Sequence, residues 1–316
     1  MSAVAPAVTH VVCGSCGAAL DIDPGLRTAL CPYCASPSVL ERPPSPDRPA
    51  PAFAVGFVVT YDAARDAARR WTRSRGLFTH SGLRRARIDD VRGIYLPAYL
   101  YTAIARSQYR ARIGENYTET ETYWTTDSKG KSVMRTRTVV KTEWRELEGS
   151  HATYVRDIVV TASRGVPNVD LGAIEPFDLR ALRRYSPALV SGWIAEEPSM
   201  SLAQCAELAR QETLAAVGNT LNAFMPGDSH GDLTYSTTLE NEHVDLVLAP
   251  IWVLAVRYDE KKPPVRLLVN GQTSRAYGRA PLSWVKIAIA VALGIGVLIL
   301  VVLALLAASA ASGGGP

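Results

Sequence analysis

Cysteine and histidine, the side chains most often recruited for metal and nucleophile chemistry, are scarce, with five of each in 316 residues. Charge is thin as well, at 20% Asp, Glu, Lys and Arg and a net +4, so composition alone does not mark a polyanion-binding protein. No P-loop, HExxH or GxSxG occurs, and the "GIG" at 294–296 lies inside an apolar run where no dinucleotide loop forms. His10, His80, His151, His230 and His243 are scattered, and "DSHGD" at 228–232 reads as polar turn residues between two elements. The opening "MSAVAPAVTHVV" lacks the basic start and long apolar stretch of a secretory leader, so the thiols are expected to meet a reducing cytosol. No nucleophile, metal-bound water or phosphate cradle can be named. The expectation is a protein that is not an enzyme, with no catalytic and no organic cofactor-binding residues.

The few cysteines are not scattered. Cys13-x2-Cys16 and Cys31-x2-Cys34 are separated by fourteen residues, and Gly14, Gly17 and Pro32 favour tight turns around them. Thiolates three apart in a turn share one ion, and two such pairs complete a tetrahedral Zn2+ site. About forty residues bury too little surface to fold alone, so metal would supply the folding energy. Residues 1–40 are therefore expected to form a zinc ribbon, with Cys13, Cys16, Cys31 and Cys34 as metal ligands. Cys205 lies in an amphipathic stretch and is expected to be a small core residue.

The other end of the chain is apolar. From Ile287 to Ala308 there is no charged residue, and twenty-two residues of helix span roughly 33 Å, about one hydrocarbon core. A transmembrane helix is expected over 283–309, with Ser283 as its N-cap, Trp284 at the interface, Lys286 reaching headgroups and a short tail over 310–316. Arg257, Lys261, Lys262, Arg266, Arg275, Arg279 and Lys286 precede it and no charged side chain follows, which places the preceding domains in the cytosol as a tail-anchored protein. Ala288, Ala292 and Gly296 recur every four residues, a stripe on which two helices could pack into a homo-oligomer, or a plain consequence of Ala-rich composition.

Between these ends, "ERPPSPDRPAP" (41–51) holds five prolines and reads as a linker to a body over 52–282. "AFAVGFVV" and "GIYLPAYLYTAIA" suit strands, and "DAARDAARRWTRSR" suits a helix with Ala64, Ala68 and Trp71 on one face. "ENYTETETYWTT" and "SVMRTRTVVKTEW", joined by "DSKGK", predict a largely solvated hairpin, followed by a strand in "ATYVRDIVVTAS". A second cycle follows. "LVSGWIAEE" resembles "FAVGFVVTY", and "LAPIWVLAVRY" echoes "YLPAYLYTAIARSQY", with Pro250 over Pro97 and Trp252 over Tyr99. Between them "SMSLAQCAELARQETLAAVGNTL" carries Ser201 and Gln204 as a capping box, and "PVRLLVNGQTSRAYG" predicts a last hairpin turning at Asn270-Gly271. The expected class is α+β with a mostly antiparallel sheet, built from two related strand–helix–strand units. From Asp62 to Arg92 there are nine arginines against four aspartates, a surface suited to anionic lipid, to nucleic-acid phosphates, or to solvent alone.

"VNGQTSRAYGRAPLSWVKI" (269–287) resembles the segment preceding the membrane helix in a family of bacterial zinc-ribbon, C-terminally anchored membrane proteins. "YLPAYLY", "LAPIWVLAVRY", the Thr-rich hairpin ending at Trp144 and "EPFDLRALRRYSPALVSGW" occur in that family's order. Members often carry primosomal helicase-like or transcription-initiation-type labels, but no helicase ATPase motif is present. The resemblance implies four metal-binding cysteines at positions 13, 16, 31 and 34 and location at the bacterial inner membrane. It also implies a scaffold role in envelope stress, recruiting phage-shock-protein-A-like (PspA-like, ESCRT-III-like) and SPFH-domain partners. Ser274-Arg275 stands where the family pattern has Gly-Lys. The alternative is a membrane-associated zinc-ribbon protein that binds nucleic acid.

Overall fold

The computed structural model describes residues 9–13, 19–31, 36–39, 49–126 and 130–312, without the side chains of 9–10, 19–21, 38–39 and 304–312. Two small antiparallel hairpins come first, β1 (Thr9–Val12) with β2 (Ala19–Ile22) and β3 (Thr28–Leu30) with β4 (Pro37–Val39). The body is one eight-stranded sheet of β5 (Phe53–Val55), β6 (Arg87–Thr126), β7 (Ser132–Thr161), β8 (Leu182–Arg184), β9 (Ile194–Ala195), β10 (Ser229–Arg257), β11 (Val265–Asn270) and β12 (Ala276–Gly278). Its helices are α1 (Tyr61–Arg73), α2 (Asn168–Gly172), α3 (Pro187–Val190) and α4 (Leu202–Phe224), and α5 (Trp284–Ser312) ends the described chain. The class is α+β, and among the described residues only the short contacts of β5 with β10 and of β9 with β6 are parallel.

The two halves of the body repeat one another in their pairing. β5 runs parallel to β10 at Phe53↔Val247 and Ala54↔Leu248, and β9 runs parallel to β6 at Ile194↔Ile94 and Ala195↔Tyr95. The amides of Val58 and Val59 donate to Gly271 O, and those of Ser199 and Met200 donate to Ala162 O. Thr60 and Ser201 then cap α1 and α4, whose buried stripes are Ala64, Ala68, Thr72 and Cys205, Ala209, Thr213. Pro97 O accepts from Ala162 N and Pro250 O from Gly271 N, each at 2.9 Å. Pro97 faces Leu248 and Pro250 faces Tyr95 across the β6–β10 ladder, so an approximate two-fold relates the halves. Each half lends its first strand to the other half's long strand, and neither completes a sheet alone.

This arrangement explains two prolines inside a central ladder. On the β6 edge opposite β10, β9 ends at Tyr95 and β7 begins at Ala98, leaving Pro97 at the gap. Pro250 stands at the same gap between β5 and β11. The carbonyl of each points into that gap, as would the missing N–H, so no ladder bond is lost.

One sheet face carries both long helices. Ala64, Ala67, Ala68 and Trp71 of α1 pack on Trp252, Leu254 and Val256, while Cys205 and Ala209 of α4 pack on Tyr99, Tyr101, Val160 and Leu246. Phe57, Tyr95, Trp193 and Trp252 form an aromatic cluster, with Phe57 stacked on Trp193 at 4.1 Å. The opposite face is covered by the 166–182 segment, through Val166, Leu171, Ile174 and Phe177 on Leu96, Val159, Val247 and Ile251. Cys205 is fully buried, as its place on an amphipathic helix implied.

Several local expectations are corrected. The apolar and Thr-rich runs are not separate strands: β6 is continuous over 40 residues and β7 over 30. Gly114 and Gly149 mark close approach within these strands, because a Cβ would meet Ser229 Oγ at 2.5 Å and Tyr109 Oη at 2.7 Å. "DSHGD" is not a turn, since Ser229, His230 and Gly231 open β10 against Gly114, Ile113 and Arg112. Asp89 and Asp90 lie within β6 and are paired to arginines, where their place before the apolar run suggested a solvated helix end or turn. The last hairpin exists, but its turn spans Gly271–Arg275 with Ser274 left-handed at φ 60°, because the Asn270 side chain accepts from the amides of Gln272 and Thr273 and widens the loop. In the repeat, Ile194 and not Leu189 is the counterpart of Phe53, because strand pairing, not the shared glycine, sets the register.

Candidate functional site

The expected metal ligands fall at equivalent places in the two small hairpins. Cys13 directly follows β1 and Cys31 directly follows β3, so each CxxC pair opens the connection of its hairpin. Both side chains are 2% exposed and pack with Ile22 in one cluster. Cys13 Sγ is 3.3 Å from Ser36 Oγ, and the Cys31 amide donates to Ser36 O. Cys16 and Cys34 lie outside the described residues. Two buried thiols, each at the mouth of a turn whose sequence holds a second thiol, suit a tetrahedral thiolate site. Among the described residues no three metal-type side chains converge anywhere. His80, His230 and His243 are engaged separately with Gly82 N, Asn222 and Asp245.

The hairpins are tied to the body by a contact that the sequence did not advertise. Arg27 N donates to Ala195 O and Glu197 N to Gly25 O, extending the short β9 region onto the hairpin module. Thr28 Oγ1 accepts from Ala195 N and donates to Trp193 O. Beside them Arg27 and Glu197 form an ion pair at 2.9 Å with side chains only 7% and 4% exposed, and the guanidinium lies over the Tyr185 ring.

The arginine run divides once placed in space. Arg69, Arg87 and Arg92 pair with Asp66, Asp89 and Asp90, and Arg65 lies over Tyr61. Among the described residues, no carboxylate pairs with Arg73, Arg75, Arg84 or Arg85. Arg75 is held by Trp71 O and Ser74 Oγ and stacks 4.8 Å over the Trp71 ring. These four flank an exposed apolar doublet, with Leu77 80% and Phe78 48% accessible. A "GLF" doublet off the helical period and bracketed by arginines was the signal that sequence reading passed over.

That loop abuts α5. Ser283 N donates to Phe78 O, His80 N to Pro281 O, and Lys286 Nζ to Thr79 O at 2.9 Å. Lys286, expected to reach for headgroups, is thus held by the loop. Phe78, Leu282, Ile287, Ala290 and Val291 line an apolar crevice of about 450 Å³. Over Trp284–Leu303 α5 has a mean hydropathy of 2.8 and none of it is buried, so it is one helix long and apolar enough to cross a membrane.

A second cleft, of about 490 Å³, lies on the opposite sheet face between Arg156, Asp157, Glu175 and Arg180. Burial, and then the neighbouring Glu212 carboxylate, push Glu175 up to about 7. Tyr101 donates to Glu242, which also accepts from Arg210 of α4, and so ties the helix to the sheet.

No family model matches the chain, and no solved structure matches it. Among curated proteins, the Uncharacterized protein YdjG of Bacillus subtilis (strain 168) is 25% identical over 247 residues. The similarity covers 76% of this chain and 66% of YdjG, so the chain spans just under two thirds of that relative's length.

Proposed function

We propose that the protein is a non-enzymatic, membrane-anchored adaptor of the bacterial inner membrane, with its ribbon and body on the cytosolic side and α5 as the anchor. The observation that carries this reading is the nakedness of α5. A helix apolar on every side and touched by protein only at its base is stable in hydrocarbon and not in water. In this reading Cys13, Cys16, Cys31 and Cys34 hold one Zn2+, which closes the two hairpins and presents their dock on β9 as a rigid unit.

The partner-facing element is the distal part of the β6–β7 hairpin. Residues 115–126 and 132–143 pair only with each other, beyond the last β10 contact at Gly114. One face of this arm is an ion-pair ladder of Glu115, Glu119 and Glu121 with Arg145, Lys141 and Arg137. The other alternates Thr118, Thr120 and Thr122 with Trp124, opposite Met134, Thr136, Thr138 and Val140, and bears no charge. Trp124, Met134 and Val140 are 71%, 62% and 64% exposed. The family resemblance points to PspA-like and SPFH-domain proteins as occupants. Capture of the full chain from detergent-solubilised native membranes is expected to return such partners. Recovery of the bait alone, or with nucleic acid in a salt-sensitive complex, would contradict the adaptor reading.

A further inference from the structure

The 74–80 loop does not belong to the anchor, the ribbon or the arm, yet it is built against the membrane helix. Its backbone is fixed by Ser283 N to Phe78 O and His80 N to Pro281 O, both 2.8 Å, and by the Lys286 ammonium on Thr79 O. The height of the loop follows from helix geometry. Phe78 shares its crevice with Ile287, Ala290 and Val291, which lie about 5–10 Å along the axis beyond Trp284. With Trp284 at the headgroup level, that crevice opens at the top of the hydrocarbon. Leu77, the most exposed residue of the doublet, stands beside it with no protein cover. Flanking the doublet in the chain are Arg73, Arg75, Arg84 and Arg85, none of which pairs with a described carboxylate. Asp259 faces His80 and Glu260 faces Arg87.

We propose that this loop is a second membrane contact, in which Leu77 and Phe78 enter the interface beside α5 while Arg73, Arg75, Arg84 and Arg85 bind the phosphates of anionic phospholipids. The inference rests on the membrane-anchored reading of α5. Hydrophobic insertion and charge act together here: each basic residue near an anionic surface adds to the attraction, and the apolar doublet adds buried area that a soluble polyanion cannot supply. Contact at two points a few ångströms apart turns a single-helix tether, free to swivel, into a seat that fixes how the body stands on the bilayer.

The test is amide hydrogen exchange of the full chain in nanodiscs of phosphatidylcholine, with or without phosphatidylglycerol. The amides of Leu77 and Phe78 are expected to exchange about tenfold or more slowly in the phosphatidylglycerol discs. Replacing Arg73, Arg75, Arg84 and Arg85 together with Gln should abolish the lipid dependence, and L77D/F78D should remove the protection altogether. Unchanged exchange in β10 and β11 serves as the control for folding. Equal exchange in both lipids and in detergent would overturn the proposal. Protection conferred by inorganic phosphate, or by an added oligonucleotide in phosphatidylcholine discs, would overturn it in favour of an anion or nucleic-acid site. If the chain fails to stay in the discs at all, the anchor reading fails and not the loop alone.

Discussion

At the scale of single residues, three side chains carry consequences out of proportion to their size. Arg27 and Glu197 are buried together, and removing one leaves the other charged without a partner. Arg27→Met is expected to weaken the dock of the hairpins by about 3 kcal/mol, seen as faster hydrogen exchange at 27–31 and 193–197. The double variant R27M/E197L, which replaces the pair by apolar groups, should recover most of that loss. Ser274 holds φ 60°, a conformation that costs a side-chain-bearing residue and not glycine. Ser274→Gly should raise stability by about 1 kcal/mol in a thermal melt of the detergent-solubilised chain.

Glu175 gives a pH signature. Its carboxyl is raised from the ordinary value to about 7 by burial and by Glu212, so the folded state holds a proton that the unfolded state has released. Stability from this group is therefore full below about pH 4.5 and is lost as pH rises toward 7. Glu175→Gln should flatten that decline and leave the protein about 1–2 kcal/mol more stable at pH 8, measured by denaturant unfolding across pH. A steeper decline in the variant would place the proton elsewhere.

At the scale of elements, the arm and the repeated halves behave differently. The arm is a bare two-stranded ribbon of about 40 Å, and such a ribbon contributes little to the stability of the sheet behind it. Joining Asn116 to Thr142 through an Asn-Gly turn should leave the melting temperature of the body within a few degrees and abolish partner capture. Loss of the fold on that deletion would show that the arm is structural. Residue patterns made most elements legible: Ala64, Ala68 and Trp71 marked α1, Ser201 and Gln204 marked α4, and Pro250 over Pro97 marked the repeat. The lengths of β6 and β7 were not legible, because alternation marks a strand but does not say whether successive apolar and Thr-rich runs join into one. The exchange of β5 and β9 between halves was also hidden, since no periodicity within three residues says which long strand a short one joins.

At the scale of the whole molecule, the parts are placed at successive positions of β6. The base, where the 74–80 loop meets α5, adjoins the start of β6 and the end of β10 through His80, Asp259, Arg87 and Glu260. From there β6 leads away for 40 residues, at most about 130 Å, to the tip of the arm. The cysteine hairpins dock beside Tyr95 and Ala195, between base and tip. The place of Cys13 and Cys31 at the ends of two short strands follows from local spacing, whereas the base was not legible, because residues 78 and 283 meet only in the fold. The account stands on a cytosolic body pinned by metal and moored by α5. It is tested most directly by measuring zinc per chain in full-length protein recovered from carbonate-washed membranes. The account predicts that the chain stays in the washed membranes with one zinc bound. Chain released into the soluble fraction, or retained without zinc, would contradict it.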